Sequence, residues 1–117
     1  MTEVTAEIDA IIARARKAQQ AYESTGNQER FDSAAKAAAW ALMEPSRNSE
    51  LAALAVAETG LGNVDDKITK NHRKTLGLLR DINGKTSYGM INEDAKSGIS
   101  EFLRPKGVIA AVVPSTN

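Results

Sequence analysis

The segment Gly107-Val108-Ile109-Ala110-Ala111-Val112-Val113-Pro114-Ser115-Thr116-Asn117 decides the fold class of this chain. Six consecutive apolar residues, Val108–Val113, follow a Pro-Lys-Gly break and give way at once to a polar turn. A short apolar run bounded in this way reads as a strand covered on both faces, the pattern of a parallel sheet. A parallel strand needs a partner beside it and a crossover connection of about a dozen residues or more. The 117 residues hold no crossover after this run, so the pattern predicts the N-terminal piece of a larger α/β protein.

Composition agrees with that expectation. Aromatic residues make up only 4% of the chain, and the apolar share leans on alanine. Alanine favours helix but removes little surface from water. The 15 basic and 15 acidic residues cancel, which argues against a nucleic-acid partner, since that needs clustered positive charge. No apolar run approaches the ~20 residues of a membrane-spanning helix. Met1-Thr2-Glu3-Val4 lacks the basic start and unbroken apolar stretch of a secretory signal. Without cysteine there is no disulfide framework. The expectation is a cytoplasmic protein with neither a membrane nor a nucleic-acid partner.

Outward from the terminal run, the first two-thirds of the chain reads as successive helices. Val4, Ile8, Ile11, Ala15, Ala18 and Tyr22 alternate steps of four and three, one helical stripe over 5–24. Gly26-Asn27 ends it. Phe31, Ala35, Ala38 and Leu42 mark a second helix over 28–43, which Pro45 prevents from running on. A third, over 47–59, carries Leu51, Leu54, Ala55 and Glu58, with Gly60 suited to the left-handed residue after its end. Asn63 is the N-cap of a fourth, over 64–82, with Asp65 and Asp66 at the positive end of its dipole. Val64, Ile68, Thr75, Leu78, Leu79 and Ile82 supply its inner face, and Asn83-Gly84 stops it. Strands at 85–91 and 99–104, joined by the polar turn Asn92–Gly98, then predict a hairpin with a long loop.

The usual catalytic constellations are missing. His72 beside Arg73 and Lys74 reads as an exposed helix residue rather than an acid–base group. Asp65-Asp66 reads as dipole-favoured surface charge rather than a metal pair. Gly60-Leu61-Gly62 follows a helix, not a strand, and lacks the third glycine of a dinucleotide fingerprint. Trp40 reads as a helix-packing residue. No metal site is expected.

Two motifs carry a resemblance. Glu58-Thr59-Gly60-Leu61-Gly62-Asn63-Val64-Asp65-Asp66-Lys67-Ile68-Thr69-Lys70-Asn71 resembles a segment near the N-terminus of aldehyde dehydrogenases, where Glu-Thr-Gly closes one helix and a short turn opens the next. Its second glycine, acidic pair, Lys67 and Lys70-Asn71 resemble the CoA-acylating branch. Pro105-Lys106-Gly107-Val108 through Asn117 resembles the family's Pro-x-Gly-Val entry into the first strand of the nucleotide domain. Non-acylating members read Pro-Trp-Asn or Pro-Phe-Asn after that strand, and acylating ones read Pro-Ser/Thr-Thr-Asn, as here. The two motifs stand in the family's order and at about its separation.

The resemblance implies an N-terminal helical segment over 1–84, a hairpin of the oligomerisation sheet over 85–105, and the start of a Rossmann-type nucleotide domain over 106–117. This fragment would be four helices, a β-hairpin and the first parallel strand of an α/β parent enzyme, a homo-oligomer. The implied reaction begins when a cysteine thiolate, the reactive form of the thiol, attacks an aldehyde. The thiohemiacetal then gives a hydride to NAD or NADP, and the acyl group passes to coenzyme A. Locally the resemblance implicates Pro114, Ser115 and Thr116 near the cofactor. It also implies a side-chain amide at the developing oxyanion, Asn117, with Thr116 as the alternative donor. Non-acylating members carry that asparagine two residues after the proline, where this chain has Thr116. The other interpretation is that Ser115-Thr116-Asn117 only terminates the strand. The competing class for the whole chain is a non-enzymatic helical interaction or assembly protein.

Overall fold

A computed structural model describes residues 2–114, and its elements follow the order α1 (Glu3–Ser24), α2 (Gln28–Met43), α3 (Pro45–Thr59), α4 (Val64–Ile82), β1 (Gly89–Asp94) and β2 (Ile99–Leu103). Two compact units divide the chain, one combining the residues up to Arg30 with Thr86–Val112, the other built on Phe31–Lys85.

In the first unit, Thr2 caps α1 by accepting from the Thr5 amide at 3.3 Å. The expected α1 stripe is real as a spacing but is largely uncovered. Ala15 and Tyr22 are half-buried, while Val4, Ile8 and Ile11 lie open. Tyr22 receives the Arg30 guanidinium over its ring at 5.3 Å from the centroid. Gln28 then makes a two-point clasp across 59 residues: its Nε2 donates to Ser87 Oγ at 2.9 Å, and the Ser87 amide donates to Gln28 Oε1 at 2.7 Å. The clasp sets where the chain enters the hairpin.

The hairpin forms, but its first strand lies further along than the 85–91 read from sequence. β1 starts at Gly89 and continues through Asn92, Glu93 and Asp94, which looked like turn residues. Asp94 explains the shift. Its carboxylate accepts from the Lys96 amide at 2.9 Å and the Ser97 hydroxyl at 2.7 Å, and its carbonyl accepts from the Gly98 amide at 2.8 Å. The turn is thereby confined to four residues, Ala95–Gly98, with Gly98 at φ 69°. The antiparallel register pairs Met90 with Phe102 and Asn92 with Glu101, leaving Ile91 as a bulge.

The strand expected at Val108–Val113 is absent. A strand exists only through a ladder, and β1 and β2 pair with each other, so this run has no partner among the described residues. Ile109 and Val113 stand about three-quarters exposed, as an unpaired run must.

In the second unit, α2 and α4 occupy the spans the sequence predicts, and α3 starts two residues earlier, at Pro45. Proline at the first position loses no helical bond, because that amide would be unsatisfied anyway. Glu44 caps α3 from its side chain, accepting from the Ser46 and Arg47 amides at 3.2 and 3.0 Å and from the Ser46 hydroxyl at 2.6 Å. The covered line of α2 runs Phe31, Ala35, Ala39 and Leu42, so Ala39 rather than Ala38 occupies the inner position. On α4, Val64, Ile68, Thr75 and Leu79 are half-buried, but Leu78 and Ile82, read as inner, are exposed. The extensive helix packing among described residues is α3 against α4, and there lie the two buried residues, Ala52 and Asn48.

Two predictions follow from the caps. Gly60 closes α3 at φ 65°, its amide bonded to Val56 O at 2.8 Å, whereas Gly77 sits inside α4 with nothing near an added Cβ. Gly60→Ala should destabilise the chain by about 1–2 kcal/mol through left-handed strain. Gly77→Ala should stabilise it by about 1 kcal/mol through helix propensity. Urea unfolding followed by circular dichroism reads both signs, and equal signs would contradict this assignment of the two glycines.

The second prediction concerns pH. The Ser46 hydroxyl, then the Arg47 amide, holds the Glu44 carboxyl below its ordinary value, and the Ser97 hydroxyl does the same for Asp94. A carboxyl depressed in the folded state contributes stability that is complete above its unfolded value and is lost as pH falls through the folded one. The urea midpoint should therefore drop as pH falls below 4.5, the ordinary value for Glu44. Glu44→Gln should flatten that dependence, and an unchanged slope would show that this cap contributes nothing to it.

Candidate functional site

The Glu58–Asn71 motif folds as the corner between α3 and α4, and Thr59, Asn63, Asp66 and Asn71 make its side-chain bonds there. Thr59 donates its hydroxyl to Ala55 O at 2.6 Å and accepts from the Leu61 amide at 3.2 Å, which turns the chain out of α3. Gly62, at φ 72°, allows the second sharp turn. Asn63 then caps α4 as the sequence predicts: its Oδ1 accepts from the Asp66 amide at 2.9 Å, and its Nδ2 donates to the Asp66 carboxylate at 2.6 Å. Asp65 and Asp66 occupy the first turn of α4, the end where the dipole favours carboxylates. Their placement is that of cap and dipole charges.

Asn71 closes the corner from the far side. Its Nδ2 donates to Asn48 Oδ1 at 2.9 Å, while Asn48 Nδ2 donates to the Ile68 carbonyl at 3.0 Å. Asn48 is 3% exposed, so this part-buried chain of bonds is centred on a buried side chain between the two helices. A buried amide left without partners costs about 1–3 kcal/mol, so satisfaction here is a condition of packing α3 on α4. The residue-by-residue reading passed over Asn48. The signal was present: Asn48, Ala52, Ala55 and Thr59 step by four, three and four along the inner line of α3. An asparagine at the head of such a line is a buried polar group requiring a partner.

The remaining candidates are placed plainly. His72 is exposed on α4 and shares a shallow groove with Met43, Pro45, Asn48, Ile68, Thr69 and Arg73. Trp40 is 60% exposed rather than packed as the sequence predicts. Gly60-Leu61-Gly62 serves the corner and cradles no helix after a strand. Among the described residues no group of three metal-binding side chains gathers, and no helix is long and apolar enough to cross a membrane. Of the residues implicated by resemblance in cofactor and oxyanion contacts, Pro114 lies in an exposed, irregular stretch. Ser115, Thr116 and Asn117 fall outside the described residues. What the described motif builds is a helix corner held by side-chain-to-backbone bonds, with the Asp65 and Asp66 carboxylates at the start of α4.

No family model matches the chain. Individual relatives do. The acylating sulfoacetaldehyde dehydrogenase of Cupriavidus necator H16 is 59% identical over 110 residues, which is 94% of this chain and 22% of that protein. The acylating sulfoacetaldehyde dehydrogenase of Bilophila wadsworthia is 44% identical over 103 residues, 88% of this chain and 22% of that protein. The bifunctional aldehyde-alcohol dehydrogenase AdhE of Escherichia coli K12 is 37% identical over 112 residues, 96% of this chain and 12% of that protein. The chain thus spans about a fifth of the length of the first two relatives. Over 88–96% of its length the chain is thus similar in sequence to proteins named as acylating sulfoacetaldehyde dehydrogenases and as an aldehyde-alcohol dehydrogenase.

Proposed function

We propose that this chain is the N-terminal region of an NAD(P)-dependent aldehyde dehydrogenase of the CoA-acylating branch. The observation that carries the reading is 59% identity across 94% of the chain to a protein named for that activity. Enzymes as relatives along the whole chain leave the interaction-protein alternative without an observation of its own. On the relatives' names, sulfoacetaldehyde is the first aldehyde to test.

In this reading residues 1–84 form a helical segment, 85–105 the hairpin of an oligomerisation sheet in a homo-oligomer, and 106–117 the opening of a Rossmann-type nucleotide domain in an α/β parent. The open edges of β1 and β2 support the second assignment, because exposed strand edges invite pairing. The uncovered Val108–Val113 run supports the third, since six apolar residues this exposed need a sheet around them.

The described residues hold no phosphate-cradling loop after a strand, and the sequence holds no cysteine. They do not by themselves fit NAD(P) or coenzyme A. The thiol nucleophile belongs to the rest of the longer enzyme, and the isolated chain should oxidise no aldehyde. The chain's own contribution to chemistry is the turn after Val113. Pro114, Ser115 and Thr116 would line the cofactor side, and Asn117 would donate its side-chain amide to the oxyanion that forms as a nucleophile adds to the aldehyde.

Grafting this chain in place of the matched segment of the Cupriavidus necator enzyme tests the reading directly. The chimera should reduce NAD with sulfoacetaldehyde and coenzyme A, and an inactive chimera would count against it. In the active chimera, Asn117→Ala should lower kcat far more than it raises KM, because an oxyanion donor acts on charge present mainly in the transition state. The expected loss is about 10²–10³ in kcat. Thr116→Ala should cost much less. The reverse pattern would move the donor to Thr116, and near-parental rates for both would leave the turn as a strand terminator only.

A further inference from the structure

We propose that Asn83-Gly84, where α4 stops, is a self-modification site at which the asparagine cyclises and becomes aspartate and isoaspartate in the folded chain. Glycine after asparagine leaves its backbone amide unshielded by a Cβ, so that amide can reach the preceding side chain. The Gly84 nitrogen attacks Asn83 Cγ and forms an N–Cγ bond. The Cγ–Nδ2 bond breaks, and ammonia leaves carrying the Gly84 amide proton. Water then opens the succinimide ring. Addition at Cγ yields aspartate, whereas addition at the main-chain carbonyl yields isoaspartate, with the backbone rerouted through Cβ. Water is the sole further reactant.

Three structural observations make this pair reactive. First, both groups are exposed, and among the described residues neither the Asn83 carboxamide nor the Gly84 amide makes a hydrogen bond. Second, little holds the peptide between them. Ring closure turns that peptide plane away from the Asn83 ψ of 128°. The bond from the Asn83 amide to Leu79 O precedes the rotation and survives it. The Lys85 amide, bonded to Ile82 O at 3.0 Å, is the local tie that must open. Gly84 sits at φ 73° with nothing within 4 Å of an added Cβ, so the plane swings into open space. Fraying of a helix end held this lightly costs almost no free energy. Third, the other described asparagines are committed elsewhere, and none precedes a glycine. Asn27 Oδ1 accepts from the Arg30 amide at 2.9 Å, Asn63 caps α4, Asn48 and Asn71 hold each other, and Asn92 lies within β1. The product alters the end of α4. Both outcomes replace a neutral amide with a carboxylate at the negative end of the helix dipole. Isoaspartate also adds a carbon to the main chain there.

The test ages the 117-residue chain in neutral buffer and maps its peptides by a mass method that separates aspartyl from isoaspartyl products. The proposal expects both products at Asn83, accumulating at least about tenfold faster than at Asn27 or Asn63. Gly84→Ala should slow them by about tenfold or more, because intramolecular attack falls steeply with small misplacements. Asn83→Gln should abolish the early products and keep the urea midpoint, so the test does not rest on a strained variant alone. Unfolding the chain in urea should speed conversion by no more than about tenfold, since the helix end already frays. Conversion that appears only in urea, or runs no faster than at Asn27, would overturn the proposal. Aspartate without isoaspartate would mean direct hydrolysis and would overturn it too. The separated isoaspartyl form should unfold at a lower urea midpoint than the unconverted chain, and equal midpoints would overturn the claimed effect on α4.

Discussion

The second unit depends on one buried amide. Asn48 sits 3% exposed between α3 and α4, holding the Ile68 carbonyl with its amino group and the Asn71 amide with its oxygen. Apolar contacts alone specify this pair of helices weakly, because alanine supplies much of the seam and offers little area to bury. A polar group that must find its partner punishes a slipped register in a way that alanine cannot. Ala52, the one fully buried apolar residue described, lies one turn along α3 from Asn48. Asn63, Gly60 and Glu44 then fix the helix ends around that contact, each through a bond to a backbone amide or a left-handed turn.

This gives the family-like motif a physical meaning. Glu58 through Asn71 was legible as a signature because its residues are unusual together, and every described polar contact within it serves the corner. Asn71 is the informative case. It is the last residue of the motif, and its partner lies 23 residues earlier, outside the motif altogether. A sequence reading sees the spacing of a local motif and not the long-range bond that requires one of its members.

The helices were readable because their breakers are strong. Gly26-Asn27, Pro45, Gly60 and Asn83-Gly84 end or start elements through backbone constraints that hold in any surroundings. The strand boundaries were not, because Asn92, Glu93 and Asp94 have turn-like identities, and the carboxylate of Asp94 pulls the turn three residues later. The run at Val108–Val113 shows the opposite failure. Its composition names a buried strand, yet a strand needs a neighbour, and composition carries no information about whether the neighbour is present. Inner-face assignments slipped by one position at Ala38 and Ala39, where neighbouring alanines make the stripe ambiguous. Of the candidate site, only Pro114 is placed, so the chemistry attached to Thr116 and Asn117 still stands on resemblance.

The central claim is that the Asn48–Asn71 bond, not the apolar seam alone, joins α3 to α4. A double-mutant cycle on Asn48→Ala and Asn71→Ala, read by urea unfolding, measures it most directly. The account predicts a coupling of about 1–3 kcal/mol between the two sites, with the second substitution costing little once the first is made. Effects that add to within about 0.3 kcal/mol would show that the two amides act independently and would contradict it.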